Sequence, residues 1–238
     1  MRVARPWAPL LAMACCLATA RICCAQELMV TGKVALDGGA NPSTAVATVV
    51  WLAPMTDHAP VAPMHAVLAQ KNKTFEPHLL VVTRGSTVEF PNHDPWFHNV
   101  FSLFNGKRFD LGLYDAGTSR TVHFDREGVS FIFCNIHPEM SAVVVVLGSS
   151  YFATTNKQGD FTIPDVPAGR YMLHVWNESA QPATLQALSR EVQLSESSHS
   201  LGTIRVEVTR AASIPHKNKY GQDYEPPSPN NPVYVQPQ

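Results

Sequence analysis

Short apolar runs that alternate with period two recur along most of this chain, and they limit its fold more than any other feature. LMVTGKVAL places Leu28, Val30 and Val34 on one parity, and similar runs follow at AVATVVWL, SRTVHFD and GRYMLHVW. Turns that contain Gly or Pro separate the runs, and helical periodicity is nearly absent. Many short strands at close spacing are typical of sandwiches and barrels. The sequence therefore predicts an all-β fold.

The first 25 residues have the pattern of a secretory signal peptide. Two arginines precede an apolar stretch from Trp7 to about Ala20, and the small residue Ala25 follows. We expect residues 1–25 to be removed, with cleavage after Ala20 as an alternative, because the stretch is too short for a spanning helix. A lipoprotein site at an early cysteine fits the pattern less well. The mature protein is therefore expected to be periplasmic or secreted, with no membrane span.

The mature chain is expected to be weakly acidic. The full chain has 18 basic and 19 acidic residues, and three of the basic residues are arginines of the signal peptide. Without them, 15 basic residues remain and the net charge is about −4. No basic stripe is present, so nucleic acid is not an expected partner. The sequence also lacks a nucleophile elbow, a His-Glu-x-x-His motif and a phosphate-binding Gly loop. We therefore do not predict an enzyme.

One cysteine remains after the signal peptide is removed. Cys134 lies in CNIHPEM, between the strand-like runs GVSFIF and AVVVVL, with His137 and Met140 beside it. A single exported cysteine is a free thiol, an intermolecular disulfide or an occupied thiolate, and a buried inert side chain is the plainest alternative. Thiolate, imidazole and thioether are good metal ligands. The loop therefore indicates a metal site.

A further ligand is expected from VEFPNHDPWFHNVFS, which offers His93 and His98. Two imidazoles, a thiolate and a weak thioether form the ligand set of a blue-copper centre. We favour His98, because His-Asn-Val leads into the next strand. Zinc with His93 as fourth ligand is the metal alternative, and Met140 could be apolar filler. The remaining histidines show no ligand spacing: His58, His65, His78, His123, His174, His199 and His216.

Two segments together resemble the cupredoxins, and among them most closely amicyanin: VEFPNHDPWFHNV and, later in the chain, GVSFIFCNIHPEMSAVVVV. The resemblance covers residues 67–147 and implies a Greek-key β-sandwich. It implies that His98, Cys134, His137 and Met140 hold one type 1 copper. The implied function is electron transfer in the periplasm with an unidentified redox partner protein. The oligomeric state is left open.

Two other functions stay open at this point. The first is a copper-binding protein for storage or delivery, and the second is a structural or carbohydrate-binding β module with a vestigial copper loop. For an electron carrier, the shortness of the loop predicts that the ring of His137 reaches the surface. Pro138, with Pro95 and Trp96 from the facing loop, would then form a small apolar docking patch.

The flanking segments carry a second resemblance. TNKQGDFTIPDVPAGRYMLHVW resembles the carboxypeptidase regulatory-like (transthyretin-like) sandwich. Its first strands are expected in residues 27–60 and the remainder in 148–210, so that the cupredoxin is an insertion. Consecutive β units are the alternative. Residues 211–238 are rich in Pro and Asn and are expected to form a disordered tail.

Overall fold

The structure, a computed structural model, describes residues 27–38, 47–56, 60–103, 106–209 and 216–224. Over these ranges the chain is nearly all strand, with one short helix that the sequence did not predict. The predicted all-β class is confirmed. Within the same ranges, no helix combines the length and apolar character needed to cross a membrane. The predicted signal peptide lies outside the described residues.

The secondary-structure elements follow one another along the chain with short connections. In order, they are β1 (Glu27–Asp37), β2 (Val49–Pro54), β3 (His65–Val67), β4 (Ala69–Lys71), β5 (Thr74–Glu76), β6 (Leu79–Thr83), β7 (Ser86–Pro91), β8 (His98–Ser102), β9 (Phe109–Tyr114), β10 (Ser119–Phe124), β11 (Gly128–Cys134), β12 (Ser141–Leu147), β13 (Phe152–Thr154), β14 (Asp160–Pro167), β15 (Gly169–Trp176), α1 (Pro182–Leu188), β16 (Arg190–Leu194) and β17 (Ser200–Glu207).

One sandwich combines strands from residues 27–54 with strands from residues 152–207. Strand β1 lies between β14 and β17, and β2 lies between β13 and β15, with β16 at the edge. The strands nearest the N-terminus therefore pair with strands that follow the loop of the predicted metal ligands. The two sheets enclose one core, which contains Phe161, Ile163, Tyr171, Leu173 and Val175.

Gly32 lies in the middle of β1 and has a packing role. A Cβ at this position would lie 2.5 Å from Cζ of Phe161, which is much closer than two carbon atoms can approach. Phe161 pairs with Gly32 across the β1–β14 ladder. The aromatic ring therefore occupies the space that a side chain on β1 would need, and glycine is the residue that permits this.

A second sandwich holds the predicted metal ligands. A five-stranded sheet has the order β6-β12-β11-β8-β9, and a three-stranded sheet has the order β10-β7-β3. Both cover a core that includes Phe90, Phe124 and Ile132. A tight turn at Arg84 and Gly85 joins β6 and β7. This part of the chain places the loop after β11 beside the start of β8.

Strand β12 explains why the sequence contains an unbroken apolar run. Val144 and Val146 face the core of the second sandwich. Val143, Val145 and Leu147 point the opposite way and form a separate buried cluster with Val49 of β2. A strand buried on both faces needs apolar residues at every position. The two sandwiches therefore pack against each other through this sheet.

Part of the predicted tail, residues 216–224, lies within the described residues. Gly221 N–H donates to Asn218 O over 2.9 Å, and Asn218 N–H donates to Gln222 O over 2.9 Å, so the segment forms a compact turn. Polar contacts to the second sandwich hold it in place, and composition gives no signal for such contacts. Residues 211–215 and 225–238 lie outside the described residues.

Candidate metal centre

Strand pairing explains why His98 and Cys134 meet. Cys134 is the last residue of β11 and pairs with Val100 of β8. His98 lies two residues before Val100 and therefore points to the same face of the sheet. Diagonal neighbours on one face are within reach of long side chains. An imidazole and a thiol from distant parts of the sequence are thus placed together at one end of the core.

The loop after Cys134 is closed by its own backbone. Cys134 N–H donates to Met140 O over 3.2 Å, and Met140 N–H donates to His137 O over 3.1 Å. Asn135 N–H donates to Asn99 O over 3.2 Å and ties the loop to β8. His137 is therefore held in a tight turn, and its ring is directed back toward Cys134.

Three donor atoms converge in this region. His98 Nδ1 lies 3.1 Å from His137 Nδ1, and Cys134 Sγ lies 3.7 Å and 3.5 Å from these two nitrogens. Nitrogen and sulfur ligands bind a metal at about 2.0 to 2.3 Å, so two ligands of one ion lie no more than about 4.5 Å apart. The three separations meet this condition, and the group fits a single metal ion.

A carboxylate orients one of the two imidazoles. His98 Nε2 donates to Asp94 Oδ2 over 2.8 Å, so the proton sits on Nε2 and the lone pair of Nδ1 faces the cluster. Asp94 also accepts hydrogen bonds from the backbone N–H groups of Asn72 (2.6 Å) and Lys73 (2.9 Å). An outer-sphere carboxylate of this kind fixes the ring and raises the basicity of its ligand nitrogen.

Burial sets the protonation of the cluster. Desolvation lowers the pKa of His137 to about 4, and the neighbouring His98 adds to this effect. Desolvation also lowers the pKa of His98, although the Asp94 carboxylate opposes it. The pKa of the Cys134 thiol is raised, first by desolvation. At neutral pH both imidazoles are neutral, and a bound cation would have to displace the thiol proton.

The other two candidate ligands, Met140 and His93, differ in burial. Met140 is fully buried in the same core as Cys134, and its backbone N–H and C=O groups close the loop. His93 is exposed and does not belong to the described cluster of His98, Cys134 and His137. The arrangement therefore gives no support to zinc with His93 as a fourth ligand.

The prediction that the His137 ring reaches the surface is wrong. Its side chain is 2% exposed. The tight turn directs the ring inward against His98, with ring centroids 4.8 Å apart. Pro138 and Pro95 are exposed, and Trp96 is half-buried. The expected apolar residues thus lie at the surface, but the imidazole itself does not.

Sequence reasoning missed the residues that support the cluster. Asp94 precedes His98 by four positions, and a carboxylate so close to a candidate ligand was a usable signal. His216 was assigned to the ordinary histidines, yet its Nε2 lies 2.9 Å from Pro138 O. The Tyr224 hydroxyl donates to Cys134 O over 2.7 Å. Neither contact could be expected from spacing, because 78 and 90 residues separate the partners.

A cleft lies away from the cluster, where the two sandwiches meet. Its volume is about 530 Å³, and its walls include Phe131 of β11, α1 and three aromatic rings of the other sandwich. Two of these rings, Trp51 and His174, stack with centroids 5.0 Å apart, and Trp176 is the third. None of the four predicted ligands lines this cleft.

Comparisons with known proteins give partial matches. The family model for domain II of polysaccharide lyase family 4, an fn3-type domain, matches residues 138–193. This is a different family from the transthyretin-like sandwich that the sequence resembles. No curated protein matches.

Solved structures that are similar to this chain include cupredoxins. A purple cupredoxin from Nitrosopumilus maritimus is 26% identical, with 34% of this chain and 99% of that chain covered and a TM-score of 0.32. An oxidised proline-to-alanine mutant of amicyanin is 24% identical, with 34% and 80% covered and a TM-score of 0.32. The copper-containing nitrite reductase NirK from Thermus scotoductus SA-01 is 19% identical, with 49% and 28% covered and a TM-score of 0.34. Because these scores are low, the chemistry of the site has to follow from its own side chains.

Proposed function

We propose that this chain is an exported type 1 copper protein that transfers electrons. The observation that carries the proposal is the convergence of His98, Cys134 and His137, with donor atoms 3.1 to 3.7 Å apart in a buried site. Two imidazoles and a thiolate, with a weak thioether as fourth ligand, define a blue-copper centre. Met140 is the proposed axial ligand, and one copper ion is expected per chain.

When bound, copper would supply a site that accepts and releases one electron. The protein contributes fixed positions for the ligands. Asp94 holds the His98 ring with its Nδ1 lone pair toward the cluster, and the loop hydrogen bonds hold His137 close to Cys134. A ligand set that is already in place keeps rearrangement small when the charge at the site changes, which favours rapid electron exchange.

Burial of the cluster favours electron transfer over copper storage or delivery. Delivery needs a path by which a receiving ligand can reach the metal. Here Cys134 and His98 have no exposed surface, and His137 is 2% exposed. Electrons cross a few ångströms of protein, whereas a metal ion needs the ligands to open. We therefore infer a carrier and not a catalyst, acting with a redox partner protein in the periplasm or outside the cell.

Cyclic voltammetry of the copper-loaded protein tests this function. A carrier is expected to give a reversible one-electron wave and to keep its copper through repeated cycles. A second measurement follows the transfer of copper from the reduced protein to a Cu(I) chelator. For a carrier, this transfer should be slow. A protein that releases its copper on reduction, with no reversible wave, would be a storage or delivery protein.

A further inference from the structure

Residues 216–224 contact the loop that carries two donors of the cluster, and through Asp110 they are linked to the strand that carries the third. His216 Nε2 lies 2.9 Å from Pro138 O, next to His137. Lys219 N–H donates to Asn135 Oδ1 over 2.9 Å, next to Cys134. The Lys219 ammonium donates to Asp110 Oδ2 over 2.8 Å. We refer to residues 216–224 as the strap.

Asp110 extends these contacts to the strand of the third donor. Asn99 Nδ2 donates to Asp110 Oδ1 over 2.7 Å, and Asn99 follows His98. Desolvation raises the pKa of the Asp110 carboxyl, but hydrogen bonds from Lys219 and Asn99 outweigh it and lower the pKa. The carboxylate is therefore charged when it bridges the strap to β8.

Tyr224 makes the most direct contact of the strap with a predicted ligand residue. Its hydroxyl donates to the backbone carbonyl of Cys134 over 2.7 Å and lies 3.2 Å from His216 Nδ1. The His216 ring stacks on Phe133, with centroids 3.9 Å apart and planes inclined by 23°. Two strap side chains thus pack together over the end of β11, where the thiol is presented.

We propose that the strap is part of the metal centre, and that His216 and Tyr224 are positioning residues for its ligand loop. The loop from Cys134 to Met140 is held from inside by its own backbone and from outside by the strap. Opening the loop requires the strap contacts to break first. The strap therefore restricts access to the Cys134 thiol and fixes the donor geometry. The part that concerns bound copper rests on the proposed function.

The first test uses the metal-free protein without residues 1–25, in which Cys134 is the single cysteine, and it needs no copper. The rate at which Cys134 reacts with 5,5′-dithiobis(2-nitrobenzoate) reports opening of the loop, because this thiol is fully buried. Tyr224→Phe removes only the hydroxyl, and each lost hydrogen bond is expected to speed the reaction about fivefold. His216→Leu combined with Tyr224→Phe is expected to speed it about 25-fold.

Two controls separate the strap contacts from general destabilisation. Tyr220→Phe is the matched control, because Tyr220 belongs to the same segment and is 71% exposed. It should react at the wild-type rate. His216→Gln keeps an N–H donor for Pro138 O. Its thiol should therefore react more slowly than that of His216→Leu, at a rate close to that of the wild type. Equal rates in wild type, Tyr220→Phe and the double variant would overturn the proposal.

The second test uses copper-loaded protein and reports donor geometry. Tyr224→Phe is expected to shift the thiolate-to-copper band and the reduction potential, whereas Tyr220→Phe shifts neither. If Tyr224→Phe has the same band and the same reduction potential as the wild type and Tyr220→Phe, the positioning role is overturned. If no copper binds at all, the proposed function fails, and the thiol measurement still decides whether the strap closes the loop.

Discussion

Replacing Asp94 with alanine tests how the cluster is oriented. The carboxylate is 4% exposed and accepts three hydrogen bonds: from His98 Nε2 over 2.8 Å, and from the backbone N–H groups of Asn72 and Lys73 over 2.6 and 2.9 Å. Alanine removes all three. The His98 ring then loses the partner that fixes its tautomer and direction.

The expected loss follows from the role of outer-sphere partners. Their removal typically weakens metal affinity by about 10- to 100-fold, which corresponds to about 1.4 to 2.7 kcal/mol. Asp94→Asn keeps one carbonyl oxygen, so its loss of affinity should be smaller. The metal-free Asp94→Ala protein should also be less stable, by about 3 kcal/mol, since two backbone N–H groups lose a charged acceptor.

Competition with a chelator of known Cu(II) affinity measures the effect. Asp125→Ala is the control, because Asp125 is an exposed carboxylate that pairs with Lys107. It should leave copper affinity unchanged. If Asp94→Ala binds copper as tightly as wild type while folding normally, Asp94 does not orient the ligand and this reasoning fails.

Three further predictions concern the axial position, the contact between the sandwiches and the pairing of distant strands. Met140→Gln should keep copper but lower the reduction potential, because an amide oxygen favours Cu(II); loss of copper in this variant would make Met140 a primary ligand. The hydrogen bond to Glu178 raises the pKa of His78, so the pair should add up to about 1 kcal/mol of stability below pH 6.5. That contribution is lost as the pH rises through the raised pKa, and Glu178→Gln should therefore lower the thermal midpoint at pH 6 more than at pH 9. A fragment of residues 148–210 lacks β1 and β2 and should be unfolded or aggregated, because β14 and β15 lose their hydrogen-bonded neighbours; a well-dispersed NMR spectrum would contradict this.

Local patterns in the sequence account for much of the fold. Period-two runs predicted the strands, and the run GRYMLHVW forms β15, with Tyr171, Leu173 and Val175 in the core of the first sandwich. The strand-like run AVVVVL forms β12, which is buried on both faces. These predictions succeed because strand formation and burial depend on neighbouring residues.

Of the candidate site, the sequence predicted the three side chains that lie together. The ligand loop indicated Cys134 and His137, the His-Asn-Val segment indicated His98, and the structure brings the three together. The support from Asp94 and the strap was not predicted, because hydrogen bonds between distant segments leave no periodic signal. The Pro/Asn-rich composition of the tail indicates too little apolar surface for a core, but residues 216–224 are held by polar contacts instead.

Titration of the metal-free protein with Cu(II), followed by visible absorption, tests the central claim most directly. The cluster of His98, Cys134 and His137 predicts an intense thiolate-to-copper band that saturates at one equivalent. Cys134→Ser should abolish the band, and His93→Ala, which changes an exposed histidine outside the cluster, should leave it intact. A colourless protein that binds zinc in preference to copper, or a band that survives Cys134→Ser, would contradict the account.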